Sequence, residues 1–241
     1  QLDKPYSPYN QEREHAGAEL IWNNACNYQT LDMRWIALSL YIPRWSYQYA
    51  EGAPESLGFN IHDKPLPCGT SSRWTNPMRI GIQNNRWICV ISYDKNDGQA
   101  NGGSTIKSIE YDLGPVDLDK WTDWAVNRNW TTADNGFVKV YKNGQLVVNY
   151  TGPNWYGGNF AKVPYIKVGI YKWPWLASWN TSWGNTIAKR RVVYVDEFKI
   201  GNSTATLADV SPAGGSTSTT TNTAPVANAG ADEIITLPVN S

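Results

Sequence analysis

Histidine and cysteine are scarce in this chain, at two and three residues in 241. So few histidines exclude a His-rich metal site, and the spacing of Cys26, Cys68 and Cys89 matches no zinc signature. Three thiols allow at most one intramolecular disulfide and leave one over. A charge excess is missing too, with 21 Lys+Arg against 21 Asp+Glu. No nucleic-acid partner is expected, because such proteins carry a basic excess or a basic run; local basic patches can still serve an acidic ligand. No stretch approaches the roughly 20 apolar residues of a membrane-crossing helix, so no membrane insertion is expected. Glycine-rich nucleotide loops, βα alternation and helix-length amphipathic patterns are also absent. No signal peptide is visible, yet the chain opens QLDKP without Met, as a processed or excised product would.

What is abundant is the aromatic ring with a polar handle: 13 Trp and 14 Tyr beside 4 Phe. A core in need of apolar bulk alone could use Phe, so the preference suggests broad, half-wet surfaces of the kind that stack on sugars. Large β proteins also use Trp for packing.

Along the chain, short strand-like runs alternate with turn-rich loops. Strands are predicted over 31–42, 56–62, 78–83, 87–93, 107–111, 121–128, 165–173 and 191–200. Phe137 to Tyr141 and Gln145 to Tyr150 form a hairpin about Asn143-Gly144, which supplies the positive φ values of a tight turn. The polar tract 94–104 is long enough for a groove wall or lid. The pattern predicts an all-β jelly roll, a concanavalin-like sandwich of two antiparallel sheets with a concave groove. Composition changes near residue 209. The expected organisation is a main domain over 1–208, a Ser/Thr-rich linker over 209–223 and the start of another module over 224–241.

The strand YIKVGIYKW organises the chemistry. Its period of two sends Ile166, Val168 and Ile170 to the core and Tyr165, Lys167, Gly169 and Tyr171 to the opposite face, where they could floor a groove for an anionic, ring-shaped ligand. Exposed sheets also carry Tyr and Lys simply because they fit a pleated surface. Asn60 and His62 share one face of their strand and offer an amide beside a group that titrates near neutrality; His15 is a weaker candidate. Arg79 and Gln83 share a face as well, and arginine suits bidentate capture of carboxylate or sulfate.

These segments resemble the jelly-roll polysaccharide lyases, the group of alginate, glucuronan and heparin-I-type lyases. YIKVGIYKW is similar to their YxKxGxY motif and Asn60-Ile61-His62 to their Gln-Ile-His. DNGFVKVYKNGQLVVNYTGP and RVVYVDEFKIG also look like segments of that group. The resemblance implies β-elimination at a uronic acid, with Tyr171 as acid and, for some stereochemistries, also as base, His62 as the group that removes or helps remove the C5 proton, and Asn60 on the uronate carboxylate. It also implies Tyr165 and Lys167 near the sugar and Arg13 or Arg79 on the carboxylate; Gln83, on the Arg79 face of its strand, and Trp173, at the start of a Trp-rich loop, are further candidates for substrate binding. Asn60 in place of Gln, and YKW after the motif, point away from ordinary alginate and toward a resemblance to the ulvan lyases, which act on a sulfated algal polymer, with alginate or glucuronan as runner-up polymers. The tail APVANAGADEIITLPVNS resembles the opening strand of PKD-type immunoglobulin-like modules, which fits a secreted or cell-surface modular protein acting as a monomer.

Two competing classes remain: a carbohydrate-binding module, which needs no His62–Tyr171 pair, and a glycoside hydrolase, which needs paired carboxylates across a groove. The candidates Glu110, Asp112, Asp196 and Glu197 form no convincing pair, adjacent Asp196 and Glu197 pointing to opposite strand faces. The lyase chemistry requires no cofactor, and a structural calcium in a loop stays open.

Overall fold

The computed structural model describes residues 2–3, 17–22, 33–47, 55–65, 76–96, 105–156, 160–172 and 190–212. Its strands are β1 (Leu2–Asp3), β2 (Gly17–Trp22), β3 (Trp35–Tyr41), β4 (Glu55–Pro65), β5 (Met78–Gln83), β6 (Arg86–Tyr93) and β7 (Lys107–Pro115), followed by β8 (Trp121–Arg128), β9 (Phe137–Lys142), β10 (Gln145–Thr151), β11 (Phe160–Tyr171), β12 (Arg190–Arg191) and β13 (Tyr194–Gly201). A six-stranded sheet runs β2-β11-β4-β5-β6-β7, and a five-stranded sheet runs β10-β9-β8-β3-β13. All ladders in both are antiparallel, as the predicted jelly-roll sandwich requires.

The core lies between the sheets. Ile36, Leu38 and Leu40 of β3 meet Leu57, Phe59, Ile61, Ile80 and Ile166 in one cluster. Burial of each such side chain contributes about 1.5–3 kcal/mol, which holds every strand to its alternation. Strand β3 is nearly all apolar, with Ser39 the exception, because part of its other face is covered too. There the short helix α1 (Leu207–Val210) packs Val210 and Leu207 over Trp35, Ala37 and Ala125, across the expected boundary at 208. Both two-residue hairpins have positive φ at each turn residue, Asn84 and Asn85 in one, Asn143 and Gly144 in the other.

Three expectations change. The run 191–200 is two strands: β12 pairs with β1, whereas β13 joins the five-stranded sheet. At the end of β12 Arg191 turns inward, donating to both Glu55 carboxylate oxygens at 3.0 and 2.6 Å and to the Ser46 carbonyl at 3.1 Å. Strand β11 begins earlier than predicted, at Phe160, and its register shifts between Ala161 and Pro164, where proline lacks a ladder donor. Among the described residues the tryptophans serve packing more than wet surfaces: Trp87, Trp124 and Trp155 are fully buried, and Trp87 meets Trp124 edge-to-face across the sandwich at 5.3 Å. Cys89 is a buried free thiol. Cys26, Cys68, most of the 94–104 tract, the Trp-rich stretch after Trp173, the linker beyond residue 212 and the final module lie outside the described residues. Among the described residues no helix is long and apolar enough to cross a membrane.

Candidate active site

The central alternation appears as predicted. Ile166, Val168 and Ile170 are buried in the core, while Lys167 and Tyr171 are half-buried on the opposite face of β11. Register then gathers the chemistry. Lys167 stands opposite Asn60 of β4, and Asn60 opposite Arg79 of β5, so a cation, an amide and a second cation form one row across three strands. Tyr171 pairs with Ser56, and Ser56 with Gly81, where a Cβ would lie 2.3 Å from the Glu55 carbonyl oxygen.

Between these rows two glycines face each other, Gly58 at φ 121° and Gly169 at φ 142°. Between the paired rows, Leu57, Gly58 and Phe59 of β4 stand against Ile80 alone of β5, the signature of a bulge. A flat strand would hold Ser56 and Asn60 about 13 Å apart, yet the Ser56 hydroxyl donates to the Asn60 side-chain carbonyl. The bulge therefore draws the ends of the face together. A Cβ on Gly58 would come 2.8 Å from Leu40 Cδ1, so the site also needs glycine for space.

Glu19 of β2 completes the cluster. It sits opposite Gly169, accepts from Asn60 Nδ2 at 3.0 Å and pairs with Lys167 Nζ at 3.3 Å. The Asn60 carbonyl also accepts from Asn76 Nδ2 at 3.1 Å, so the amide is fixed from three sides. Burial, and after it the Glu19 carboxylate, pushes the Tyr171 phenol above its ordinary value. Among the described residues, the charge that acts on Tyr171 is thus the Glu19 carboxylate, an anion. Burial pushes Arg79 below its ordinary value, opposed by the carboxylate of Glu110 and by Cys89. A desolvated guanidinium of this kind gains from an anionic ligand.

The structure thus joins Asn60, Lys167 and Tyr171 around Glu19, with Arg79 one strand away. Gln83 shares the Arg79 face but lies at the hairpin end of β5, opposite Arg86. His62 is placed by its backbone one row beyond Asn60, opposite Tyr165. The side chains of His62 and Tyr165, and all of Arg13, His15 and Trp173, lie outside the described residues. Glu19, Ser56 and Asn76 are absent from the sequence-based candidates; for Glu19 the available signal was a carboxylate inside the apolar run AELIW. Of the acidic residues weighed for hydrolysis, Glu110 and Asp112 are on β7 and Asp196 and Glu197 on β13 of the other sheet. A register shift follows Asp196 and Glu197 has φ 53°, which breaks the simple alternation expected there. Among the described residues no group of three or more His, Cys, Asp or Glu is placed to hold a metal.

A solved structure shares this architecture. An endo-β-1,4-glucuronan lyase from the fungus Trichoderma reesei superposes with a TM-score of 0.66 at 18% identity, over 88% of this chain and 82% of that one. A family 7 alginate lyase in complex with product gives 0.48 at 11% identity, over 80% and 74%. The alginate lyase AlyC3 gives 0.44 at 14%, over 69% and 68%. No curated protein matches the sequence. The family model described as polysaccharide lyase matches residues 3–199, nearly all of the sandwich and every residue of the Glu19 cluster, and the chain belongs to that family.

Proposed function

We propose that this polysaccharide lyase cleaves ulvan, a sulfated uronate polymer, by β-elimination. The C5 proton of the uronate leaves to a base, the C4–O bond breaks, a C4=C5 double bond forms in conjugation with the carboxylate, and the departing oxygen takes a proton. Negative charge builds on the carboxylate before the bond breaks, so fixed donors aimed at it lower the barrier. The observation that carries the reading is the row Lys167–Asn60–Arg79 beside a protonated Tyr171. Asn60 and Arg79 hold the carboxylate. Tyr171, kept as a phenol by burial and Glu19, donates to the leaving oxygen. His62, one row along β4, serves as the base. Two cations flanking one amide suit a polymer that alternates carboxylate with sulfate.

Glucuronan is the second reading, favoured by the extent of the likeness to the fungal glucuronan lyase. The test is incubation of purified protein with ulvan, glucuronan, alginate and heparin-type polymers while the ultraviolet absorbance of the unsaturated uronate is followed. A rise on ulvan supports the proposal, a rise on glucuronan alone transfers it to the second reading, and reducing ends without absorbance would sink elimination altogether.

A further inference from the structure

The outer face of the five-stranded sheet is divided in two. One half, Trp35, Ala37 and Ala125, is covered by α1. In the other half Tyr194 of β13 stands opposite Tyr41 of β3, and Tyr41 opposite Trp121 of β8, so three rings step across three adjacent strands. Their centroids are 5.9 and 5.5 Å apart, at interplanar angles of 62° and 56°. This mutual packing, edge-to-face for Tyr194 and tilted for Trp121, holds the rings in place before any ligand arrives, which reduces the ordering cost of binding. Tyr194 is 51% exposed, and Trp45, in the 3-10 turn that follows β3, is 61% exposed.

Beside the aromatic row runs a polar one, Asp196–Ser39–Asp123, in which Ser39 donates its hydroxyl to Asp123 at 2.6 Å. Ionised carboxylates are acceptors only. They suit a ligand rich in hydroxyl donors and repel carboxylate or sulfate. We propose that this face is a second carbohydrate-binding surface, separate from the groove, that takes a neutral, hydroxyl-rich polysaccharide. Rings contact the C–H faces of the sugars, and Asp196 and Asp123 accept from hydroxyls at their rims. The groove row, with Lys167 and Arg79, has the opposite charge preference. One molecule can therefore hold a neutral matrix polymer on one side while acting on an anionic polymer on the other.

The test is affinity electrophoresis of the whole chain in gels cast with neutral β-glucan, galactomannan or xylan, with sedimentation on cellulose. The wild type should be retarded or sedimented by at least one of these. Tyr194→Ala, at an exposed position, should weaken that binding about tenfold, the scale of one lost ring contact. Asp196→Ala should weaken it as well, with turnover of the soluble anionic substrate unchanged in both. No retention of the wild type by any neutral polymer, or full retention by both variants, would overturn the proposal. A concentration-dependent dimer in light scattering that Tyr194→Ala abolishes would also overturn it and make the row an interface between copies.

Discussion

Tyr171 keeps its proton beside Glu19. Burial first, and then the carboxylate on the adjacent strand, raise the phenol above its ordinary range, while the same carboxylate ties down Lys167 and Asn60. One acid thus sets both the protonation of Tyr171 and the position of two neighbouring donors.

If Tyr171 protonates the leaving oxygen, Tyr171→Phe removes the proton and spares the groove. Turnover should fall by about 10²–10⁴-fold with KM barely moved. Near-normal kcat on the polymer that the wild type cleaves would end the assignment.

Glu19→Gln tests the electrostatic part. With the anion gone, one of the two causes that raise the Tyr171 pKa disappears. The phenol then ionises at lower pH, so the alkaline limb of the kcat profile should move down, by less than the whole displacement because burial remains. KM should rise as Lys167 and Asn60 lose their anchor. An alkaline limb identical to the wild type would show that Glu19 does not act through Tyr171.

Behind the site, Glu55 is buried between Arg191 and Lys172, whose ammonium lies 3.7 Å from the carboxylate. Glu55→Ala would leave two cations in the interior without that anion. A loss of about 3–5 kcal/mol is expected from denaturant unfolding. A loss below about 1 kcal/mol would mean the cations are satisfied by other groups.

Cys89 supplies a pH dependence of stability. Burial, opposed by Arg128 and Arg79, pushes its thiol up to about 12. The folded state thus retains a proton that the unfolded chain gives up near the ordinary thiol value. Its contribution is fully present below that value and is lost as pH rises toward about 12, with a slope of up to ~1.4 kcal/mol per pH unit. Comparing wild type with Cys89→Ala in alkaline denaturant titrations isolates this slope; parallel curves would contradict it.

Much of the sandwich was legible because its strands bury one face. Alternation located β5 and β8, and the Asn143-Gly144 turn located the β9–β10 hairpin. The same parity put Lys167, Tyr171, Asn60 and Arg79 on one face of the six-stranded sheet, away from the core. Glu19 could not be found this way, because its place depends on β2 flanking β11, a pairing between segments nearly the whole domain apart. The split of 191–200 was hidden for a related reason. Arg191 reads as an ordinary surface charge until its distant partner Glu55 is known. Tryptophan abundance left both readings open because composition does not tell a ring packed between sheets, as Trp87 and Trp124 are, from one at the surface, as Trp45 is.

The facing pair Gly58 and Gly169 carries a lesson for engineering. The bend in the floor is built into backbone that no side chain can replace without strain or collision. Redesign for another polymer should therefore leave this hinge-like foundation untouched and work on the interchangeable side chains around it, Arg79 and Lys167 first. Curvature and chemical preference are separable in this scaffold, and a library confined to the latter should retain folded protein.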